Sequence, residues 1–368
     1  MPVKPPDQVN WDFIVETIRT ERCVLMLGPE VARNAEGLSL YQSLLESLDL
    51  SNQAKVRYYN DDEFFFFRDP LAKTRAVFDI QQFYARHSPS PLFEQILQIP
   101  FHLCISVSPD LMLRQSFEQY NLPHRFDYYR KYENPQAIER PTQDYPLIYN
   151  LFGAIEDDES LIFTHEDLFE FLFAILGDRK LPRGLESQLQ SAKNFIFLGF
   201  KFDKWYVKLL LRLLSLHTGN FLRYASYSQD SVETLNFCMD HFRIDFIDLS
   251  MDDFVQTLYD RCQERGMLRP LSTSDTVQTP WEIIQGYIRK DEVKAALLKI
   301  ESYLAPLPQE EELLTTLTLL MSRYNRLQRK ITNGVIDEDE SERQLNRIKQ
   351  DVLSLGEALQ EILEEQQL

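Results

Sequence analysis

Short apolar runs of strand character alternate with longer helical patterns along most of the chain, from Trp11 to about Arg269. Such alternation is typical of an α/β domain built around a mostly parallel sheet. The runs are almost continuously apolar, which indicates strands that helices cover on both faces. The sequence therefore predicts an α/β domain over residues 1–270. Its predicted strands are Cys23–Leu27, His102–Ser106, Leu147–Leu151, Leu161–Thr164, Phe195–Leu198 and Ile244–Ile247.

One segment of this domain, from about Ser51 to Leu97, has helical patterns, so we expect a helical insertion there. It contains a run of consecutive phenylalanines, Phe64–Phe67, between acidic residues. Because so apolar a run is costly to expose to water, we expect it to be buried under the insertion.

The chain after the α/β domain has only helical patterns. Residues 271–280 are polar and β-branched, which is typical of a linker. Residues 281–368 carry apolar positions at helical spacing, and Asn333-Gly334 supplies a left-handed helix stop. We predict a small all-α helical bundle over 281–368, whose narrow apolar seam and charged flanks suit recruitment of a protein partner. The seam residues are Leu345, Ile348, Val352, Leu355, Leu359 and Ile362.

The charge of the chain limits its partners. Its 57 Asp and Glu residues outnumber its 39 Lys and Arg residues, for a net charge of −18. A chain this acidic is repelled by phosphate backbones and anionic lipid surfaces, so we expect no direct nucleic-acid binding and no membrane association.

The cysteines and the apolar runs indicate the compartment. The 4 cysteines are widely spaced and form no CxxC pair, which argues against a zinc site and favours a reducing environment. There is no apolar signal core and no apolar run of about 18 residues that would span a bilayer. We therefore expect a cytoplasmic protein without a metal.

Two glycines follow predicted strands, at positions where α/β proteins commonly bind phosphates. Gly28-Pro29-Glu30 comes directly after the first strand, and Gly199 comes after Leu198, shortly before Asp203. The three spaced glycines of a dinucleotide fingerprint are absent, so an ordinary tight turn also explains Gly28. Asp203 also suits the N-cap of the following helix.

Polar side chains follow two further predicted strands. Ser106, Ser108 and Asp110 lie at the end of the second strand, where they either bind a ligand or cap the helix that begins near Leu111. Asn150 lies near the end of the third. Both positions belong to the sheet edge at which open α/β folds usually bind ligands.

Thr164 and Asp167 have the spacing of a capping box. This pattern explains both residues without any catalytic role. We therefore interpret His165 as a first-turn helix residue rather than as a general base.

The motifs follow one another in an order that is more specific than any one of them. In order they are a strand ending at Gly28, Ser-Val-Ser-Pro-Asp110, Asn150-Leu-Phe-Gly153, Ser-Leu-Ile-Phe-Thr164 and Phe-Leu-Gly-Phe-Lys-Phe-Asp203. Over roughly residues 10–265 this order resembles the sirtuin-like domain of bacterial anti-phage defence proteins. In that family a Rossmann-type sheet binds NAD, and many members hydrolyse it to nicotinamide and ADP-ribose. The C-terminal helical region is similar to effector-associated domains, which recruit effectors through like-with-like contacts.

The resemblance implies a Rossmann-like domain that takes NAD as substrate or ligand, without a metal. On matching positions, the candidate catalytic residues on the ribose side are Ser108, Asp110 and Asn150. The residues expected near the phosphates or adenosine are Gly28, Pro29, Glu30, Ser106, Gly199 and Asp203. The resemblance also implies a protein partner for the C-terminal helices, whereas the sequence leaves open whether the chain is a monomer or a homo-oligomer.

Two positions depart from the pattern of the catalytic family members. Ser108 stands where they carry Asn, and Phe152 stands where they carry His. A phenyl ring cannot accept a proton or orient a ribose hydroxyl. Two hypotheses therefore stay open: an effector that cleaves NAD as a glycohydrolase with unconventional residues, and a catalytically degenerate nucleotide-binding or scaffold module. The zinc-binding cysteines of deacetylating sirtuins are absent, which argues against a protein deacetylase.

Overall fold

A computed structural model describes residues 3–34, 37–48, 56–177, 179–216, 221–227, 230–271, 280–289, 293–304, 310–332 and 338–365. The chain divides into two compact units, Met1–Leu271 and Ser272–Leu368. The predicted linker lies mostly outside the described residues, as does the predicted helix stop at Asn333-Gly334.

The first unit is built on an eight-stranded sheet in the order β1-β10-β9-β8-β2-β5-β7-β6, and all of its described pairings are parallel. A two-stranded antiparallel hairpin, β3-β4, is separate from it. The strands are β1 Val3–Lys4, β2 Cys23–Leu27, β3 Val56–Tyr59, β4 Phe64–Phe67, β5 Leu103–Ser106, β6 Arg125–Tyr128, β7 Leu147–Asn150, β8 Asn194–Leu198, β9 Leu222–Ser226 and β10 Ile244–Ile247. The predicted α/β fold with a mostly parallel sheet is confirmed.

Helices connect the strands and cover both faces of this sheet. They are α1 Trp11–Arg19, α2 Leu40–Ser47, α3 Pro70–Ala85, α4 Pro91–Gln98, α5 Met112–Gln119, α6 His165–Leu176, α7 Arg183–Ser191, α8 Trp205–Leu213, α9 Val232–Phe242 and α10 Met251–Glu264. Central strand β2 shows the two-sided burial directly. Leu25 belongs to one apolar cluster with Ile14 and Phe254, whereas its neighbour Met26 belongs to another with Phe197.

The order of the strands reverses at β2. The chain runs from β2 to β5 on one side, and after β6 and β7 it returns to β8 on the other side. In doubly wound folds ligands bind at the carboxyl ends of the strands beside such a switch point. The sheet therefore points to the loops after Leu27, Ser106 and Leu198.

One predicted strand, Leu161–Thr164, is wrong. Only Thr164 makes a bridge, to Phe65, and it serves as the N-cap of α6. Its hydroxyl accepts from the Asp167 amide at 3.0 Å, and the Asp167 carboxylate accepts from the Thr164 amide at 3.0 Å. The capping box thus begins a helix directly after a short apolar run, and His165 is the first helical residue, as interpreted.

The insertion differs from the purely helical prediction. In its described part, from residue 56 onwards, it begins with the hairpin β3-β4 and continues into α3 and α4. Phe64 and Phe65 are buried, whereas Phe66 is 48% exposed, so the phenylalanine run is only partly buried. Successive side chains of a strand point to opposite faces, and a run of four therefore cannot be covered from one side.

The second unit consists, where described, of helices alone. They are α11 Pro280–Arg289, α12 Val293–Leu304, α13 Glu311–Thr332 and α14 Glu338–Glu365. Ile348, Val352, Leu355 and Leu359 of the predicted seam are buried against the other helices of the unit. Most of the seam therefore forms the interior of this unit, which corrects the expectation that its apolar residues supply affinity for a partner.

Candidate functional site

A small cavity lies at the carboxyl ends of β2, β5 and β7. Gly28, Ser106, Asp110 and Asn150 line it together, so residues from three separate stretches of sequence meet there. The other lining residues are Leu27, Val31, Ala32, Phe93, Leu113, Arg114, Phe126 and Ile148. The cavity has a volume of only about 10 Å³, which is space for about one water molecule.

Gly28 allows the loops after β2 and β8 to approach closely. A Cβ at Gly28 would lie 2.2 Å from the carbonyl oxygen of Gly199. The Gly28 amide donates to Leu198 at 2.8 Å, and the Glu30 amide donates to Gly199 at 3.1 Å. Gly199 has a φ of +67°, a conformation that favours glycine. The two glycines are thus required by the backbone here, and they bring the β2 and β8 ends together.

The loop after β5 is held by its own polar groups. The Ser106 hydroxyl accepts from the Ser108 amide at 3.0 Å, and an Asp110 carboxylate oxygen accepts from the Met112 amide at 3.0 Å. Asp110 therefore bonds to the start of α5 and also lines the cavity. Ser108 is buried and is not among the lining residues. Both interpretations of this loop, capping and ligand binding, remain compatible with Asp110.

Asp110 is the titratable acid of the cavity. Burial raises the pKa of its carboxyl above the ordinary value, although hydrogen bonds from the Ser108 hydroxyl and the Met112 amide partly offset this. The Asn150 side-chain amide donates to the Asp110 carbonyl oxygen at 2.9 Å. This bond ties β7 to the β5 loop and leaves the Asn150 amide engaged within the protein. A carboxyl with a perturbed pKa in a cleft is a candidate functional group.

Arg114 also lines the cavity, and sequence reasoning missed it. It forms ion pairs with Glu118 and Glu156, both at 2.8 Å, and its guanidinium lies over the Phe126 ring at 5.1 Å. A guanidinium at this edge suits a phosphate or carboxylate. No local sequence pattern marked it, because Arg114 lies in the first turn of α5 whereas Asp110 precedes that helix.

Glu30 and Asp203, two predicted site residues, lie apart from this cavity. Glu30 forms an ion pair with Lys201 at 2.8 Å, and Lys201 forms a second one with Glu63 of the hairpin at 2.6 Å. Burial lowers the pKa of Lys201, but the two carboxylates outweigh it, so the pKa is raised overall. The loops after β2 and β8 and the β3-β4 hairpin are therefore joined through one ammonium group. Pro29 lies in the first of these loops.

Asp203 does not cap the helix that follows. The N-cap position of α8 is Lys204, without a side-chain capping bond. The Asp203 carboxylate is half exposed and lies 3.8 Å from the Lys204 ammonium, while its amide donates to Asp230. The predicted cap at Asp203 is therefore wrong.

Phe152 is part of the apolar core. It is buried, and its ring lies 5.5 Å from that of Phe171 and 6.2 Å from that of Tyr206, centroid to centroid. His165 lies elsewhere, with Nε2 at 3.0 Å from an Asp62 carboxylate oxygen. Among the residues that line the cavity there is thus no imidazole.

Two family models match the sequence. Residues 104–237 match the SIR2-like domain, and residues 280–360 match effector-associated domain 11. The chain carries a SIR2-like domain and an effector-associated domain. The predicted resemblance is confirmed at this level.

The chain has only distant similarity to a solved structure. The chain is similar to a structure described as "Structural Basis for the Mechanism and Regulation of Sir2 Enzymes", with 10% identity and a TM-score of 0.31. The match covers 69% of this chain and 99% of that one. No curated protein matches the sequence.

The described residues form neither a metal-binding cluster nor a membrane-spanning helix. They contain no group of His, Cys, Asp and Glu side chains suited to a metal ion. None of the described helices is both long and apolar enough to cross a bilayer.

Proposed function

We propose that the SIR2-like domain binds NAD or an ADP-ribose-type ligand at the strand ends, as an effector of prokaryotic antiviral defence in the cytoplasm. The observation that carries the proposal is the cavity shared by Gly28, Ser106, Asp110 and Asn150 beside the switch point of the sheet. The domain matches support it, since a SIR2-like domain precedes an effector-associated domain.

The cavity has suitable polar groups but must open to admit a nucleotide. Ligand pockets have volumes of roughly 300–1,000 Å³, far more than the 10 Å³ present. Lys201 is the point that controls this opening in our proposal, because it links the loops after β2 and β8 to the hairpin through Glu30 and Glu63. In our proposal the pyrophosphate of the ligand competes with these carboxylates for the Lys201 ammonium, and the loops separate.

If NAD is cleaved, the bond between C1′ of the ribose and nicotinamide breaks, and nicotinamide leaves with the bonding electrons. A water oxygen bonds to C1′ and releases one proton to the solvent. Asp110 would accept a hydrogen bond from that water or from a ribose hydroxyl, which positions the reacting groups. Ser108 and Asn150 would shape the loop around Asp110 rather than transfer a proton. This assignment gives an NAD glycohydrolase with one carboxylate and without an imidazole.

A second function, nucleotide binding without cleavage, is favoured by Phe152. Its ring packs against Phe171 and Tyr206, where it contributes to the core and offers no proton acceptor. General acid–base catalysis typically contributes roughly 10²–10⁴-fold to rate. We therefore expect NAD turnover by the unpartnered chain to be absent or very slow, with activity, if any, emerging on assembly.

Calorimetric titration of the full chain with NAD and with ADP-ribose, together with chromatographic detection of nicotinamide, separates these functions. We expect binding, and we expect Asp110→Ala to weaken it about tenfold. Asp127→Ala is the matched control, because Asp127 also accepts from a backbone amide but does not line the cavity. If neither NAD nor ADP-ribose gives a heat of binding, the proposed site is refuted. Rapid release of nicotinamide by the chain alone would refute the binding-only function.

The control point at Lys201 has its own test. Glu63→Gln removes one competing carboxylate, so we expect NAD to bind several-fold more tightly. Asp245→Asn, which removes a carboxylate from the more exposed Lys4 pair, should leave affinity unchanged. Equal affinity of both variants would refute the competition and leave nucleotide binding intact.

We further propose that the effector-associated domain recruits a protein partner. A chain that ends at Leu271 still contains Arg269, which holds the end of the first unit in place. Its guanidinium donates to the Leu97 and Ile99 carbonyl oxygens at 2.7 and 2.9 Å. We expect this shortened chain to fold and bind ligand but to lose partner binding and protection of cells from phage. Full protection by the shortened chain would refute recruitment.

A further inference from the structure

Helix α6 carries apolar side chains on its exposed face as well as on its buried face. Phe169 is 47% exposed, Phe173 is 74% exposed and Leu176 is 66% exposed. The three follow one another at spacings of four and three, so they form a single stripe along the helix. Phe171 and Leu168, on the opposite side, are buried in the core of the domain. The fold therefore does not need the exposed stripe for its own packing.

Two further aromatic residues extend the stripe into a patch. Trp205 is 39% exposed, and its ring lies 6.3 Å from that of Phe169. Tyr132 is 55% exposed and donates its hydroxyl to Glu170 of α6. The Trp205 ring nitrogen donates to Asp62 at 3.0 Å. The polar tips of both rings are thus satisfied inside the protein, while their apolar bodies stay exposed. Contiguous patches of this kind mark interaction sites, and Trp and Tyr are enriched among the residues that dominate binding energy.

The charges along the patch run from acidic to basic. Glu166 and Glu170 are exposed in the first half of α6, whereas Lys180 and Arg183 are exposed just beyond its C-terminal end. If two copies of the helix pack antiparallel about a two-fold axis, the acidic end of each faces the basic end of the other. Phe173 lies midway in sequence between Glu166 and Lys180, and it would face its own counterpart near the axis.

We propose that the α6 patch is a self-association surface, at which a second copy of the chain binds through an antiparallel pairing of the two α6 helices. An isologous contact needs a self-complementary surface. The stripe supplies apolar contact, and its charge gradient supplies the orientation despite the acidic net charge of −18. The patch is small beside the roughly 20–30 residues per side of a standard interface, so we expect a weak, concentration-dependent dimer. The proposal is independent of whether the domain binds a nucleotide.

Cysteine cross-linking of the full chain tests the pairing. The native cysteines are all buried, so a new surface cysteine is the reactive one. Under mild oxidation at micromolar concentration we expect Phe173→Cys to form a disulfide-linked dimer. Phe78→Cys is the matched control, because Phe78 is a phenylalanine on another helix with a similar exposure of 57%. Equal cross-linking of the two variants, or none with Phe173→Cys, would overturn the proposal.

Charge reversal tests the antiparallel orientation without a covalent bond. By sedimentation equilibrium, we expect Phe173→Glu to weaken dimerisation at least about tenfold, and Phe78→Glu to leave it unchanged. Glu166→Lys and Lys180→Glu should each weaken the dimer several-fold, and the double variant should restore it, because the two reversed charges again face each other. A double variant as weak as the single ones, or a chain that stays monomeric at about 0.1 mM under low salt, would refute the pairing.

Discussion

The two units of the chain place their polar groups differently. All described residues that are both buried and polar or charged lie in the SIR2-like unit, among them Lys131, Asp167 and Arg223. The described interior of the effector-associated unit is an apolar cluster, and its Arg323–Asp351 ion pair is exposed. Burying polar groups is expensive unless each is paired. Among the described residues, buried polar groups are thus confined to the first unit, which is where we propose the chemistry to lie.

The largest change in the free energy of unfolding is expected on substitution of Asp167. Its carboxylate lies 3.0 Å from the buried Lys131 ammonium and 2.9 Å from Lys73, and it also completes the capping box of α6. Asp167→Ala leaves Lys131 buried without this partner, which should cost about 3–5 kcal/mol of unfolding free energy. Urea unfolding followed by hydrogen exchange measures the loss unit by unit.

The effect should be confined to one unit. Leu359→Ala removes a fully buried side chain of the second unit and should cost about 2–5 kcal/mol there. If either substitution destabilises both units equally, the two do not unfold separately and the comparison fails.

The lowered pKa of Asp167 predicts that folding stability depends on pH. Burial raises the pKa of its carboxyl, but the charges of Lys131 and Lys73 and their hydrogen bonds outweigh this, so the pKa is lowered in the folded state. The folded form then binds its proton less readily than the unfolded form, whose pKa is about 3.9. The ionised Asp167 carboxylate therefore stabilises the folded state above this unfolded-state pKa, and that stabilisation is lost as the pH falls below about 4. Asp167→Asn should flatten the acid limb of the stability profile, and an unchanged limb would contradict the assignment.

A somewhat smaller effect is expected at Gly28. Its Cβ would meet the Gly199 carbonyl oxygen at 2.2 Å, and because that atom is backbone the two strand ends must separate. We expect Gly28→Ala to cost about 3 kcal/mol, at the upper end for overpacking. Gly286→Ala in α11 has open space around its new Cβ and should instead stabilise its helix by about 1 kcal/mol. Equal effects in thermal unfolding would contradict the close approach at Gly28.

Sequence patterns predicted the continuously apolar sheet strands well, but they missed an edge strand and a strand that contains polar residues. Cys23–Leu27 and Ile244–Ile247 coincide with strands, because continuous apolar runs are typical of parallel strands covered on both faces. The edge strand Arg125–Tyr128 and the polar-containing strand Leu222–Ser226 gave no such signal. Leu161–Thr164 was apolar enough for a strand, but the capping box of the next helix decided its conformation.

The candidate site was predictable only in part, for a related reason. Strand ends and glycines identify Gly28, Ser106, Asp110 and Asn150, because the topology brings them to one edge. Which of them share a cavity depends on side-chain packing between elements far apart in sequence. Arg114 and the Glu30–Lys201–Glu63 bridge arise from such packing, so no local pattern could indicate them.

Substitution of Asp110 is expected to raise stability slightly, in contrast to the losses expected at Asp167 and Gly28. Because burial raises the pKa of its carboxyl, the folded form holds the proton more tightly than the unfolded form. Stability is therefore lost as the pH rises from about 3.9 through the folded value. Asp110→Asn removes this penalty and should stabilise the first unit at pH 7. A gain in stability with weaker NAD binding is the trade-off expected of a functional carboxyl. Destabilisation at pH 7 would instead show that the ionised Asp110 carboxylate stabilises the fold.

The smallest effect is expected at Arg323, and it tests the comparison most directly. The Arg323–Asp351 pair joins α13 and α14 at 3.3 Å, close to the 3.0 Å of Lys131–Asp167, but its side chains are 64% and 49% exposed. Water and salt screen such a pair, so Arg323→Ala should cost less than about 1 kcal/mol, and 1 M salt should remove most of that. A buried pair is screened far less, so the cost of Asp167→Ala should hold in the same salt. Double-mutant cycles on both pairs measure the two coupling energies. Similar values, or similar salt dependence, would show that burial does not set the strength of these contacts.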